Sequence, residues 1–212
     1  MTTTILTLLA IVSAIIHLWG EYQGPDILIY FFKPLTMIFI ISIAVLAISP
    51  PSRRYKYAVI VGLLFSLGGD IFLMLPVDLF IAGLISFLIA HLIYIYAFRS
   101  GRPMRFKLLA PLLLGGYGVL VYAVLFPGLD GMEVPVAAYI LVILAMAWQA
   151  WDQWDQLRTR WALLAFIGAL LFVISDSVLA LNRFGEPFKA ARALTLSTYY
   201  SAQWLISRSN YT

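Results

Sequence analysis

The most regular feature of the sequence is a series of eight long apolar runs, most of them close to the length of about 20 residues that a helix needs to cross a membrane. Short turn-forming segments separate the runs, among them GPD at 24–26, PPS at 50–52 and SGRP at 100–103. This pattern predicts an all-α, polytopic membrane protein, with 1–212 forming a single domain that is a bundle of eight transmembrane helices. The expected helices are 3–19, 27–48, 56–75, 79–98, 107–126, 134–151, 161–181 and 189–207.

The composition excludes several classes of protein. Of the 212 residues, 63% are hydrophobic and 11% are charged, whereas a soluble domain averages about 25% charged residues. The net charge of +4 would suggest nucleic-acid binding in a soluble protein, but here the basic residues cluster between apolar runs, and we expect no nucleic-acid partner. The absence of cysteine excludes disulfides, thiolate metal sites and cysteine nucleophiles.

The basic residues also predict how the bundle is oriented, because Lys and Arg accumulate in cytoplasmic loops. The connections after the second, fourth and sixth runs are basic, and those after the first, third and fifth contain no Lys or Arg. We therefore expect both termini in the cytoplasm and a location in the bacterial inner membrane. The expected cytoplasmic residues are Arg53, Arg54, Lys56, Arg99, Arg102, Arg105, Lys107, Arg158, Arg160 and Arg208, and those on the other side are Arg183, Lys189 and Arg192.

The first apolar run is expected to remain in the mature protein. Its leading residues, MTTT, contain no basic side chain, and Glu21 and Tyr22 follow the run where a signal peptide would have a small-residue cleavage site.

Three charged side chains inside the apolar runs are the first candidates for function. A charge at the bilayer centre costs roughly 2.5–3.5 kcal/mol on insertion scales and is rarely kept without a use. Asp70 and Asp176 each lie about five residues, or roughly 7–8 Å, before the outer end of their helices. Lys33 enters its helix from the same side at a similar depth. We expect the three side chains to share one outward-facing cavity.

Lys33 and some uncharged polar residues in the runs also have simpler explanations. Lys33 could extend its ammonium group to the interface, and His91, near the middle of its run, could be a neutral hydrogen-bonding group between helices. Tyr199 and Tyr200 enter the last run from the outer side, within reach of the same cavity. The two aspartates are harder to explain in this way, since one lysine cannot neutralise two carboxylates, and we expect them to be functional.

Two carboxyl groups close together in an apolar pocket can act as an acid beside a base. Ionising both would place two negative charges side by side in an apolar medium, so one group stays protonated. Such a pair suits hydrolysis through an oxocarbenium-like cation. It suits equally a proton relay in a transporter. A metal centre is disfavoured, because the sequence has no HExxH motif or comparable spacing. An inert scaffold is disfavoured by the cost of burying both carboxylates.

Five segments that contain these residues resemble the YhhN family of integral membrane proteins, whose characterised members are lysoplasmalogenases. Together they span nearly the whole chain, and they cover the second, third, fourth, seventh and eighth runs. The matching strings are FKPLTM at 32–37, GLLFSLGGDIFLML at 62–75, GLISFLIAHLIYIYAF at 83–98, GALLFVISDSVLAL at 168–181 and YYSAQWLI at 199–206.

The resemblance implies hydrolysis of the sn-1 vinyl ether of lysoplasmalogens to a fatty aldehyde and a glycerophospho-ethanolamine or glycerophospho-choline. It implies no cofactor, and as partners only the lysophospholipid substrate and membrane lipids. We expect one of Asp70 and Asp176 to protonate the alkene and the other to stabilise the cation and orient water, with Lys33 receiving the phosphate. His91, and Tyr199 or Tyr200, are expected to hydrogen-bond a carboxyl group or the water. The alternative is a small proton-coupled transporter that uses the same aspartates.

Overall fold

The computed structural model describes residues 2–99 and 107–212, and within these ranges the chain forms eight α-helices. A short 3₁₀ turn, Phe126–Gly128, follows the fifth helix. The eight helices are α1 (Thr2–Gln23), α2 (Asp26–Val45), α3 (Arg53–Met74), α4 (Phe80–Arg99), α5 (Leu109–Leu125), α6 (Glu133–Leu157), α7 (Arg160–Phe184) and α8 (Ala191–Arg208).

The prediction of an all-helical chain with these eight elements is confirmed, and most boundaries differ from the expected ones by a few residues. The largest difference is at the end of α6, which continues to Leu157 instead of stopping at residue 151. Its last turns, WDQWDQL, are too polar to extend an apolar run, but they contain no Gly or Pro that would end the helix. The SGRP segment and the predicted cytoplasmic residues Arg102 and Arg105 lie outside the described residues.

Seven of the described helices, α1 to α7, are long and apolar enough to cross a membrane, the fifth of them together with the 3₁₀ turn that follows it (Leu109–Gly128). The remaining helix, α8, has 18 residues but is more polar than the others. The finding therefore covers seven of the eight predicted spans.

Neighbouring helices pack in antiparallel pairs, and one face of α8 packs inside the bundle. The closest pairs are α3 with α4, α7 with α8, and α1 with α2. In addition, α6 bridges α4 and α7, and α8 contacts α1, α2 and α3. By contrast α5 packs mainly against α6, at the edge of the bundle. As a result, α2, α3, α7 and α8 surround a common space.

Glycines allow the closest of these approaches. A Cβ atom added at Gly168 of α7 would lie 2.8 Å from Cγ1 of Ile206 and 3.0 Å from the carbonyl oxygen of Ala202, both in α8. In α3, the absence of side chains at Gly62 and Gly69 makes room for aromatic rings of α4. Small residues at helix contacts let the backbones of membrane helices approach closely, and this fixes α4 and α8 against their neighbours.

We predict that Gly168→Ala destabilises the protein, because the carbonyl of Ala202 is backbone and cannot move aside without shifting α8. Overpacking of this kind costs about 1–3 kcal/mol, which should lower the midpoint of thermal unfolding in detergent. Gly115→Ala is the matched control, since a Cβ atom at Gly115 of α5 meets nothing within 4 Å. An unchanged midpoint for Gly168→Ala would contradict this account of the α7–α8 contact.

Candidate active site

A cavity of about 660 Å³ opens at the end of the bundle where α1 joins α2 and α7 approaches α8. It lies at the opposite end of the molecule from Arg53 and Arg160, which begin α3 and α7. Helices α1, α2, α3, α7 and α8 supply its charged lining residues, and α4 contributes Phe80 and Phe87. The charged lining residues are Glu21, Asp26, Lys33, Asp70, Asp176, Arg183 and Arg192.

Asp70 is the most deeply buried acid in this cavity, with an exposed fraction of 3%. Its Oδ1 lies 3.8 Å from Nζ of Lys33 on α2, and its Oδ2 accepts a 2.5 Å hydrogen bond from the hydroxyl of Tyr199 on α8. Lys33 is itself 8% exposed. Buried charges are tolerated when they are paired and hydrogen-bonded, and the side chains of α2 and α8 provide both kinds of partner for the carboxyl group of α3.

Asp176, on α7, is in a different environment. It is partly buried, and its Oδ2 accepts a 2.5 Å hydrogen bond from the hydroxyl of Tyr139 on α6. Within the described residues, no basic side chain lies within 4.0 Å of this carboxyl group. Asp70 is near enough to act on it electrostatically. The two aspartates therefore face one cavity, and a cation accompanies only one of them.

A layer of aromatic rings connects the two tyrosines that hold the aspartates. The ring of Phe172 packs edge-on against Tyr199, with a centroid separation of 5.5 Å, and against His91 at 4.7 Å. Phe87 contacts both Phe172 and Tyr199 in the same way. His91 in turn packs against Tyr139 at 5.3 Å. Phe87 and Tyr199 line the cavity, and the packing of the layer restricts both tyrosine rings.

His91 does not reach the cavity. Its side chain is fully buried, and in the described part of the chain its two ring nitrogens have no hydrogen-bond partner. It contacts the site through the ring of Tyr139. The structure therefore places it behind the carboxyl groups and not beside them.

Tyr200 also points away from the aspartates. Its hydroxyl lies 2.9 Å from Nδ1 of His17, whose Nε2 is 3.4 Å from Oε1 of Glu21. Glu21 is paired with Arg192 at 2.8 Å on the cavity rim. Tyr200 thus belongs to a chain of polar contacts that links α1 to α8 at the mouth of the cavity.

The opposite part of the rim is closed by a contact between the α3–α4 connection and the end of α7. Arg183 donates a 2.7 Å hydrogen bond to Asp78 and lies over the ring of Phe80, 5.0 Å from its centroid. Since the guanidinium stabilises the charged form of this carboxylate, the pKa of Asp78 is lower than its usual value. Two of the three basic residues at this end, Arg183 and Arg192, are therefore engaged in ion pairs at the rim.

Sequence reasoning missed Tyr139 and the acidic residues at the rim. Tyr139 lies six residues after Glu133, the first residue of α6, so its depth from that end is comparable to the depth of the aspartates. That depth was a usable signal, but a tyrosine in an apolar run is more often an anchor at the membrane interface. Across the described residues, no group of three or more His, Asp or Glu side chains is arranged to hold a metal ion.

The fold and the site define a polytopic helical membrane protein with a polar cavity that opens at one end of the bundle and contains two buried or partly buried aspartates. The model of the YhhN family matches residues 28–210, and the chain belongs to that family. The matched region includes α2 to α8 almost completely, and with them both aspartates and both of their tyrosine partners.

Three relatives illustrate the similarity. The protein named "Uncharacterized membrane protein YhhN" of Escherichia coli O6:H1 is 32% identical over 199 residues, which cover 94% of this chain and 95% of that protein. "Lysoplasmalogenase TMEM86A" of Bos taurus is 39% identical over 71% of this chain and 64% of its own length. "Lysoplasmalogenase TMEM86B" of Homo sapiens is 37% identical over 75% of this chain and 66% of its own length. No solved structure matches the chain. The chain is an integral membrane protein.

We predict that Lys33 and Asp70 are energetically coupled. Lys33→Met leaves a buried carboxylate without its cation and should lower stability, and much of the loss should return in the Lys33→Met/Asp70→Asn double variant, because neither charge then remains. Residues in direct contact typically show coupling energies of about 0.5–3 kcal/mol, which unfolding of the four proteins in detergent would measure. Lys189→Met, at an exposed lysine near the same end, is the control. Additive effects of the two single substitutions on the free energy of unfolding would mean that the 3.8 Å contact contributes nothing to stability.

Proposed function

We propose that this protein is a lysoplasmalogenase, a hydrolase that cleaves the sn-1 vinyl ether of lysoplasmalogens to a fatty aldehyde and a glycerophospho-ethanolamine or glycerophospho-choline. The observation that carries the proposal is the shared cavity of Asp70 and Asp176, two carboxyl groups in unequal surroundings inside an apolar bundle. The names of the TMEM86 relatives support the same activity.

The chemistry of a vinyl ether explains why two carboxyl groups are needed. Hydrolysis begins when a proton is added to the carbon β to the ether oxygen, which leaves an oxocarbenium ion at the neighbouring carbon. Water then traps the cation as a hemiacetal, which collapses to aldehyde and alcohol. The first step requires an acid, and the second requires an anion that stabilises the cation and accepts a proton from water. Asp70 and Asp176 supply both groups.

Three further residues have supporting roles in this proposal. Lys33 lies 3.8 Å from Asp70, and an ammonium group has three donors, so it can bind the substrate phosphate while it remains near the carboxylate. Tyr199 and Tyr139 each donate one hydrogen bond to an aspartate and so fix which carboxyl oxygen faces the substrate. His91 acts by packing against Tyr139, and Tyr200 by its bond to His17 at the mouth.

We predict that the purified protein in detergent releases aldehyde from an alkenyl lysophospholipid, and releases none from the alkyl or acyl analogues, with chelator present. Asp70→Asn and Asp176→Asn should each lower kcat/KM by at least about a hundredfold, the usual range for loss of a general acid or base. The matched control is Asp152→Asn, in the last turns of α6 and outside the cavity lining.

The outcomes separate the two functions. Full activity of both Asp70→Asn and Asp176→Asn would show that the two aspartates take no part in catalysis. A folded wild-type protein that releases no aldehyde would contradict the hydrolase, and proton-coupled flux in sealed vesicles would then support a transporter instead.

We also propose that α8 crosses the membrane, so that the bundle has eight spans, both termini are cytoplasmic and the cavity opens outward. Three observations support this arrangement: α8 runs antiparallel along α7, the cavity mouth lies at its start, and Thr212 donates its backbone N–H to the carbonyl of Ser49, at 3.2 Å. The C-terminus is therefore beside the α2–α3 connection, which carries the basic cluster of the predicted cytoplasmic side.

Single cysteines test this topology directly, because the chain has no native cysteine. We predict that Phe188→Cys, between α7 and α8, reacts with a membrane-impermeant maleimide in intact cells, whereas Thr212→Cys reacts only after permeabilisation. Both side chains are exposed. Labelling of both positions from the same side would mean that α8 does not cross.

A further inference from the structure

A second pocket lies against the cavity and differs from it in chemistry. It is enclosed by α4, α5, α6 and α7, and apart from Tyr139, Asp176 and Ser177 its lining is entirely apolar. Asp176 is the one charged residue that lines both spaces, and Phe87 lies beside it on the boundary. Lys33 and Asp70 line the polar cavity but not the apolar pocket. The site therefore has a polar chamber and an apolar chamber that meet at Asp176.

We infer that the apolar pocket receives the first carbons of the substrate's alkenyl chain, and that Asp176 is the acid that protonates the vinyl ether while Asp70 activates water. This inference rests on the proposed function and goes beyond it by assigning the two roles. An amphiphile with a charged headgroup and a hydrocarbon chain has one favourable orientation here, because the headgroup would lose hydration in the apolar pocket without a compensating charge.

The geometry of the substrate connects this orientation to the roles. In a vinyl ether the β-carbon continues into the hydrocarbon chain, and the ether oxygen continues into the glycerol. Asp176 lines both spaces, and Asp70 lines only the polar cavity. With the chain in the apolar pocket and the phosphate near Lys33, our inference therefore assigns the β-carbon to Asp176, and the cationic carbon and ether oxygen to Asp70. The pocket has a volume of about 60 Å³, which is about a tenth of the volume of the polar cavity. It therefore holds the carbons next to the reacting bond and not the whole chain.

The charges around the two carboxyl groups agree with this assignment. Asp70 has a lysine at 3.8 Å and a tyrosine donor, both of which stabilise an anion. Asp176 has a tyrosine donor on Oδ2 and, within the described residues, no basic partner within 4.0 Å, so its other oxygen can carry a proton toward the substrate. In addition, the negative charge of Asp70 opposes ionisation of its neighbour.

The proton balance of the cycle closes with these two residues alone. The proton of Asp176 forms the new C–H bond at the β-carbon, the alkene electrons are consumed, and the adjacent carbon becomes the oxocarbenium centre. Water adds to that centre and loses its proton to Asp70. The hemiacetal then breaks its bond to the glycerol oxygen, which takes the proton from Asp70, while the hemiacetal hydroxyl returns its proton to Asp176. One water is consumed, and both carboxyl groups recover their starting states.

The position of the chain is tested by filling the apolar pocket. Val136 lines it and is 5% exposed, whereas Val134, two residues earlier on α6, is 78% exposed and faces away. Val136→Trp should lower kcat/KM for the alkenyl lysolipid by about tenfold or more, as pocket changes of a few carbons do. Val134→Trp should behave like wild type. Equal activity of the two variants, both with wild-type unfolding temperatures, would place the chain elsewhere.

The assignment of acid and base is tested by a measurement that does not need turnover. Infrared difference spectra are recorded on the complex with an unreactive alkyl-ether lysolipid, in wild type, Asp70→Asn and Asp176→Asn. The carbonyl band of a protonated carboxylic acid should be present in wild type and Asp70→Asn, and absent from Asp176→Asn. Loss of the band in Asp70→Asn with retention in Asp176→Asn would reverse the roles, and absence of the band from wild type would overturn the assignment.

Anion rescue gives an independent check on the same assignment. Azide should restore part of the aldehyde release to Asp70→Ala, because it can replace the missing anion next to Lys33, and it should restore none to Asp176→Ala, which lacks the proton donor. Rescue of Asp176→Ala alone would contradict the roles. Absence of aldehyde release from the wild-type protein would instead count against the proposed function, and the infrared result would still report which carboxyl group is protonated.

Discussion

The arrangement of the bundle depends on keeping one carboxylate inside an apolar structure. Asp70 has an exposed fraction of 3%, and a charge at such a depth is costly unless it has a partner. The partners come from two other helices, Lys33 from α2 and Tyr199 from α8. The three helices that meet at Asp70 are all among those that line the cavity, so the contacts that stabilise the charge also form part of the site.

The two aspartates become chemically different because their surroundings differ, although both lie on the same cavity. Asp70 is paired with a cation, while Asp176 has a tyrosine donor and sits where polar lining changes to apolar lining. Acid–base catalysis by a pair of identical groups requires such a difference, since one group must hold a proton when the other does not. Phe172 packs against both Tyr199 and His91 and so connects the aromatic residues behind the two carboxyl groups.

The sequence could predict the helices and the three intramembrane charges, because charge and depth within an apolar run are readable without a structure. It could not predict which helix faces meet. Tyr139 was therefore missed, since a tyrosine in an apolar run looks the same whether it faces lipid or a carboxyl group. His91 was expected to hydrogen-bond a carboxyl group or water, but it lies on a face of α4 that packs against the rings of Tyr139 and Phe172. The contact of Tyr200 on α8 with His17 on α1 could not be predicted either, because it too depends on which helix faces meet.

The polarity of α8 follows from its position. Tyr199, Gln203 and Ser207 recur every four residues on one face, and all three are buried. Gln203 accepts a hydrogen bond from the hydroxyl of Tyr94, and Ser207 donates one to the carbonyl of Ile40. A helix facing lipid on all sides could not carry these groups, because lipid offers them no partners. The buried face of α8 can carry them, because α2 and α4 provide partners for Ser207 and for the side-chain oxygen of Gln203. Part of the low hydropathy of α8 therefore belongs to the face that packs inside the bundle, where Tyr199 brings a donor to Asp70.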